Sequence, residues 1–70
     1  MSQQFKVEGM TCGHCAHAVT EEVGAIDGVT AVVVNLVPEG VSTVTVESDS
    51  DVSADAVRDA LVEAGDYRLV

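Results

Sequence analysis

The 70-residue chain has few aromatic and few positively charged side chains. It contains no tryptophan, one phenylalanine and one tyrosine, and its three lysines and arginines stand against twelve aspartates and glutamates, for a net charge of −9. This charge argues against a protein that grips nucleic acid phosphates or lies on an anionic membrane surface. The shortage of aromatic residues means that the core has to be built mainly from small aliphatic side chains.

Long apolar runs are also absent. No segment approaches the roughly 18 consecutive apolar residues that a transmembrane helix requires, and the N-terminus lacks the basic start and the apolar core of a signal peptide. Hydrophobic residues nevertheless make up 47% of the chain and charged residues 21%, which is too hydrophobic for a disordered segment. The sequence predicts one folded domain over residues 1–70, located in the cytoplasm and without membrane insertion.

Cysteine is equally scarce, because Cys12 and Cys15 are the only two. A disulfide between residues so close in sequence closes almost no loop, and it would stabilise the fold far less than a bond joining distant segments. The two cysteines therefore need a chemical explanation.

The first half of the chain has the pattern of a strand followed by a helix. Residues 4–8 alternate apolar and polar side chains with the period of a half-buried strand. A helical pattern begins at about Cys15, and Gly24 or Gly28 is expected to end it. The positions expected to face the sheet are Ala16, Val19, Val23 and Ile26.

The second half reads as a hairpin, a helix and a last strand. Residues 30–37 and 41–46 are rich in β-branched residues and flank Pro38, which predicts a hairpin. Ser53 is well placed to cap a second helix, and residues 67–70 suit a short final strand. The apolar stripe of this helix comprises Val57, Ala60, Leu61 and Ala64.

An internal repeat supports two similar halves, since residues 16–19 recur in part at 54–57. The predicted architecture is a ferredoxin-like βαββαβ sandwich, with a four-stranded antiparallel sheet and two helices on one face.

Cys12 and Cys15 lie where the first strand gives way to the first helix. A helix N-terminus stabilises thiolate over thiol, and Gly13 allows the loop to bend around an ion. Structural zinc usually takes four ligands, whereas soft thiolates suit Cu(I). Two sulfurs therefore fit two-coordinate Cu(I) best, with Hg(II) and Zn(II) as the nearest alternatives.

A dithiol redox protein is the alternative from another functional class. A C-x-x-C pair at a helix N-terminus is also typical of thioredoxin-like oxidoreductases, some of which carry Gly-His between the cysteines. Against this, Thr11 stands where those proteins commonly have an aromatic residue, and Pro38 falls in a hairpin turn. A chance pair of surface cysteines is the least favoured interpretation.

The segment Gly9–Cys15 resembles the G-M-T-C-x-x-C motif of heavy-metal-associated domains, and the likeness extends over nearly all of the chain. As a whole the sequence resembles bacterial copper chaperones of the CopZ type. The resemblance implies a carrier and not an enzyme, which binds Cu(I) through Cys12 and Cys15. It also implies ligand exchange with the metal-binding domains of a copper-transporting P-type ATPase, or delivery to a copper-responsive regulator. We expect a monomer without metal and a copper-bridged dimer at high copper loading.

Four neighbouring residues are candidates for the surroundings of the metal. The family suggests that Met10 packs beneath the loop, and a cationic His14 is hypothesised to lower the pKa of a thiol. Family members typically run Gly-Tyr after the second helix, whereas Asp66 intervenes here before Tyr67. Either side chain could approach the metal loop, and an Asp66 carboxylate there would oppose thiolate formation. The favoured interpretation is that Asp66 is solvated and Tyr67 packs. His17 is interpreted as a solvated bystander.

Overall fold

Four strands form one antiparallel sheet. The computed structural model describes all of residues 1–70. Its elements are β1 (Ser2–Glu8), α1 (Gly13–Gly24), β2 (Val29–Asn35), β3 (Val41–Ser48), α2 (Ala54–Ala64) and β4 (Arg68–Leu69). The strands follow the order β2-β3-β1-β4 across the sheet. The predicted ferredoxin-like βαββαβ fold is confirmed. Neither helix has the length and apolar composition needed to cross a bilayer.

The β2–β3 hairpin supplies much of the core, as its alternating pattern predicts. Val46 pairs with Val32 and Val44 with Val34, and Val44 and Val46 are completely buried. Val33 points to the open face of the sheet and is 62% exposed. The hairpin is therefore two-faced, with one side packed under the helices.

The predicted first strand of this hairpin extended to Val37, which is wrong, because β2 ends at Asn35. The backbone N–H of Val37 donates to the buried Ser42 hydroxyl at 2.9 Å instead of to a neighbouring strand. This bond lifts the chain out of the ladder and leads it into the turn at Pro38, where Gly40 N–H donates to the Val37 carbonyl at 3.2 Å.

The second helix follows its prediction closely. The Ser53 hydroxyl accepts the Ala56 N–H at 3.1 Å and so caps the helix. Val57, Ala60 and Leu61 are buried against the sheet. An apolar stripe at helical spacing and a polar cap, both legible in the sequence, thus fix α2.

The first helix differs from its prediction at its start. It begins at Gly13 and not at about Cys15, and it ends at Gly24. Val19 and Val23 are buried, as expected, while Ile26 lies beyond the helix and still packs against the core. The chain then reverses through Gly28, whose φ of 88° favours glycine.

Strand β1 lies in the interior of the sheet and leads directly into the cysteine loop. Its antiparallel pairing with β3 runs from Ser2 to Glu8, so it starts earlier than the sequence pattern predicts. On its other side it pairs with β4, which is only two residues long. The predicted strand over residues 67–70 is therefore too long, although Val70 N–H still donates to the Lys6 carbonyl at 2.9 Å.

Candidate metal site

The two thiols sit together at the N-terminus of α1. Cys12 is the N-cap residue, with extended backbone, and its carbonyl accepts the N–H groups of Cys15 at 3.1 Å and Ala16 at 3.2 Å. Because Cys15 is in the first turn, the Sγ atoms of the two cysteines lie 3.5 Å apart. Both cysteines are free thiols; Cys12 is exposed and Cys15 is half-buried.

The surroundings favour the thiolate form of Cys15. Its pKa is lowered from 9.0 to about 6, first by a hydrogen bond from Tyr67, and then by the backbone N–H of Thr11 and the Cys12 thiol. The Thr11 hydroxyl also lies within 3.9 Å of the Cys15 sulfur. No acidic side chain stands in the first turn of α1 to oppose this ionisation. At neutral pH the loop therefore presents at least one anionic sulfur.

Two glycines leave room for Tyr67 beside the loop. A Cβ atom at Gly65 would lie 2.8 Å from Cε2 of the Tyr67 ring. A Cβ at Gly9 would lie 3.6 Å from Cδ1 of the same ring, and Gly9 has a φ of 102° that favours glycine. The ring thus folds back over the end of α2 and lies beside Gly9, at the start of the cysteine loop.

The same interaction also changes the pKa of Tyr67. The pKa of Tyr67 is raised to about 12, first because its hydroxyl bonds to Cys15 and also because of burial and the nearby sulfur charges. Asp66 is exposed. Of the two residues that follow Gly65, Tyr67 and not Asp66 is therefore the one that lowers the pKa of Cys15.

The other predicted neighbours are not directed at the sulfurs. Met10 is only 1% exposed and belongs to the hydrophobic core. His14 is exposed and is not among the groups that lower the pKa of Cys15. Nε2 of His17 lies 2.9 Å from a carboxylate oxygen of Glu21, one helical turn further along α1, and both side chains are exposed.

The donor set is limited to the two sulfurs. No group of three or more histidine, cysteine or acidic side chains in the chain converges in a way that could hold a metal ion. Zinc would lack ligands here, whereas a soft cation that accepts two thiolates fits. With metal–sulfur bonds of roughly 2.3 Å, a near-linear unit needs its sulfurs roughly 4.6 Å apart. The exposed Cys12 side chain would have to swing outwards by about 1 Å to reach this spacing.

Gly13, the first of the two residues between the cysteines, faces open space. A Cβ atom at Gly13 would meet no other atom within 4 Å. The loop is thus open on its outer side, where a second molecule can approach the sulfurs.

Comparison with known proteins places this geometry in context. The model of the heavy-metal-associated domain matches residues 4–66. The copper chaperone CopZ of Staphylococcus aureus is 44% identical over 66 residues, which cover 93% of this chain and 94% of the relative.

Solved structures agree with the fold. A structure described as the CopZ metallochaperone superposes with a TM-score of 0.83 at 41% identity, over the whole of both chains. The N-terminal domain of a potential copper-translocating P-type ATPase from Bacillus subtilis, solved in its Cu(I)-loaded state, gives a TM-score of 0.71 at 33% identity. That match covers 99% of this chain and 85% of the other.

Proposed function

The chain belongs to the heavy-metal-associated domain family, and from this premise we propose that it is a cytoplasmic carrier that binds one Cu(I) ion through Cys12 and Cys15. It hands the ion to another protein by exchange of thiolate ligands and catalyses no reaction of its own. The observation that carries the proposal is the pair of thiols 3.5 Å apart at an open helix N-terminus, with no third ligand nearby. The copper chaperone and Cu(I)-loaded relatives support copper as the cargo.

The charge of the loaded site explains why the loop needs local help. Two thiolates and one Cu(I) leave a net negative charge on the site, in a chain whose net charge is already −9. The hydrogen bond from Tyr67 and the backbone N–H of Thr11 stabilise that negative charge on Cys15. The amide groups at the start of α1 act in the same direction.

Release follows from the exposure of the loop. A thiolate of the acceptor approaches over Gly13, where nothing blocks the path, and forms a three-coordinate intermediate with Cys12 and Cys15. One donor cysteine then leaves the ion, and a second thiolate of the acceptor displaces the other donor cysteine in the same way. Each freed sulfur stays a thiolate or takes a proton from water. No free copper is released at any step, and the number of ligands never falls below two.

The acceptor we propose is the metal-binding domain of a copper-transporting P-type ATPase. An ATPase domain with the same fold, solved with Cu(I), supports this choice, because two similar loops can face each other. A copper-responsive regulator is the second acceptor that this chemistry suits. At high copper loading, the exposed Cys12 of two copies is expected to share ions, giving a copper-bridged dimer.

An anaerobic titration with Cu(I) against a strong competing chelator tests the proposal. We expect tight one-to-one binding that Cys12→Ser and Cys15→Ser each abolish. Met10→Leu is the matched control, because it removes a sulfur that is buried in the core, and it should bind Cu(I) like the unaltered chain.

The same samples distinguish the redox alternative, which the close approach of the two sulfurs also suits. Weak Cu(I) binding together with disulfide reductase activity would reverse the assignment. Light scattering during the titration follows the dimer, and a mass that stays that of a monomer at excess Cu(I) would count against it.

A further inference from the structure

The free edge of β2 is the least protected part of the sheet. In the order β2-β3-β1-β4, strand β2 has a neighbouring strand on one side only. Its residues, Val29–Asn35, include no proline and no charged side chain, and its pairing with β3 is irregular only between Val29 and Ala31. Proteins commonly protect an exposed edge with a charge, a proline, a bulge or a very short strand. Over residues 31–35, β2 has none of these, so its outer N–H and C=O groups can receive another strand.

The opposite edge of the sheet is protected. Strand β4 consists of Arg68 and Leu69 alone, and the Arg68 guanidinium lies 2.7 Å from a carboxylate oxygen of Glu8. A strand of two residues with a charged pair beside it offers little to a further chain. Association through β2 therefore uses one edge of each molecule, which leads to a closed pair and not to a growing fibre.

Charge along the β2 edge is low for so acidic a chain. The net charge of −9 opposes self-association and is the reason to expect a monomer in dilute solution. However, no charged side chain lies between Asp27 and Glu39, and Glu47 is the only charged residue of β3 that pairs with β2. In two molecules joined edge to edge, three strand spacings, about 14 Å, separate the two Glu47 residues. This exceeds the Debye length of about 8 Å at physiological ionic strength, so two copies can meet here with little repulsion.

The exposed side chains of β2 suit a second copy of the same strand. Ala31 and Val33 are exposed, and they lie on the face of the sheet opposite to the helices. When two copies of β2 lie antiparallel about a two-fold axis near Val33, these residues meet the open-face residues of the other copy. Contact between apolar side chains on neighbouring strands stabilises a sheet. The strand is thus self-complementary in both its backbone and its side chains.

We propose that the free edge of β2 is an interaction surface for a second copy of this chain. Two metal-free molecules pair their β2 strands antiparallel and join their sheets into one of eight strands. A second copy suits the edge better than a separate peptide, because one contact covers two exposed edges and no flexible segment has to be ordered. A single strand pair is a small contact beside the roughly 1,200–2,000 Å² that stable complexes bury. The dimer is therefore weak, forms at high protein concentration and is strengthened by salt.

The orientation of the pair distinguishes it from the copper-bridged dimer. Strands β1 and β2 are both antiparallel to β3, so they run in the same direction, and the metal loop that follows β1 lies at the end of the sheet where β2 finishes. Antiparallel β2 strands place the two loops at opposite ends of the joined sheet. Five strand spacings, about 24 Å, separate the two β1 strands, so the two sites cannot share an ion. Each loop remains open to a copper acceptor.

Sedimentation equilibrium of the metal-free, reduced chain tests the proposal, with samples up to about 1 mM in about 0.5 M sodium chloride. Val33→Glu and Val62→Glu are matched variants, because the two valines are 62% and 68% exposed, on β2 and on the outer side of α2, and the change in net charge is the same. Circular dichroism first checks that each variant is folded. Val33→Glu places two carboxylates close together near the two-fold axis, so its dimer dissociation constant should be at least about tenfold higher than that of Val62→Glu.

Hydrogen exchange locates the contact within the chain. The outer amides of β2 should exchange more slowly as the protein concentration rises, both in the unaltered chain and in Val62→Glu, but not in Val33→Glu. This measurement needs no variant to show whether the edge is covered.

Four results would overturn the inference. The unaltered chain could remain a monomer at the highest concentration, or the two variants could dimerise equally. If Cys12→Ser abolished the metal-free dimer, the contact would lie at the thiol loop. Binding of a synthetic peptide with the sequence of residues 29–35, without association of the whole chain, would make the occupant a free extended segment and not a second copy. None of these results bears on Cu(I) binding by Cys12 and Cys15, which the chelator titration decides separately.

Discussion

The hydroxyl of Tyr67 should control how readily the site binds metal near neutral pH. Tyr67→Phe removes only the hydroxyl and keeps the ring that packs over Gly65 and beside Gly9. The hydrogen bond from Tyr67 is the largest cause of the lowered pKa of Cys15. We therefore expect the pKa of Cys15 to rise in this variant from about 6 towards 9.0.

The size of the effect on copper follows from the two limiting values. At pH 7 a thiol with a pKa of about 6 is roughly 90% thiolate, whereas a thiol at 9.0 is roughly 1% thiolate. Metal ligands bind as thiolates, so complete loss of the shift would weaken Cu(I) binding at pH 7 by roughly 100-fold. Since Thr11 and Cys12 also lower the pKa, the variant should lose part of this factor. The difference should vanish above pH 9, where Cys15 is ionised in both proteins.

Two measurements check this prediction. The pH dependence of alkylation by iodoacetamide, with the modified cysteine identified by mass spectrometry, gives the pKa of Cys15 in each protein. Competition titrations with Cu(I) at several pH values give the affinity. The reasoning is refuted if Tyr67→Phe leaves the alkylation profile unchanged, or if its loss of affinity is the same at pH 7 and above pH 9.

Three further predictions concern stability. The net charge of −9 repels itself more strongly in the native chain, whose radius of gyration is 10.6 Å, than in the unfolded chain at roughly 26 Å. Salt screens this repulsion, so the chain should be about 4 kcal/mol more stable at about 1 M than at about 10 mM sodium chloride. Urea unfolding that is insensitive to salt would contradict this. Leu61 is fully buried, so Leu61→Ala should lower the free energy of unfolding by about 3 kcal/mol. Val62 lies on the exposed side of the same helix, so Val62→Ala should change it by less than about 0.5 kcal/mol. Similar losses in both variants would show that α2 is packed differently. Because the pKa of Cys15 is lower in the native state, ionisation of Cys15 stabilises the metal-free chain fully above pH 9, and this contribution is lost as the pH falls through about 6. The difference in the free energy of unfolding between the unaltered chain and Cys15→Ser should therefore become smaller from pH 9 to pH 6. A difference that grows as the pH falls would contradict the prediction.

Periodic features of the sequence predict the fold well, because they reflect which face is buried. The alternation that makes Val44 and Val46 core residues is legible without coordinates, and so is the cap at Ser53. The start of α1 is not, since Cys12 is not among the usual capping residues and its carbonyl, not its side chain, begins the helix. Likewise, the end of β2 depends on the buried Ser42 hydroxyl, a contact between residues on either side of the turn.

The candidate site shows the same division. The motif around Cys12 and Cys15 singles out the two sulfurs from spacing alone. Which residue after Gly65 approaches them cannot be predicted from composition, because Asp66 and Tyr67 are neighbours and the choice depends on how the chain leaves α2. The ring of Tyr67 lies where a side chain at position 65 would have to be. In the sequence, a glycine at position 65 so close to the only tyrosine indicates that the tyrosine ring packs over the end of α2.

The open space at Gly13 makes this position a place where the chain can be altered next to its site without disturbing its packing. It is the first residue of α1, where proline is favoured because the missing N–H has no helical partner. The preceding Cys12 is already extended, as a residue before proline prefers to be. Gly13→Pro should therefore raise the free energy of unfolding by about 0.4–1 kcal/mol by restricting the unfolded chain, as urea unfolding can measure. A stiffer loop would then have less freedom to spread its sulfurs around an ion. The conformational freedom that glycine provides at position 13 therefore lowers the stability of the fold while it eases the exchange of thiolate ligands.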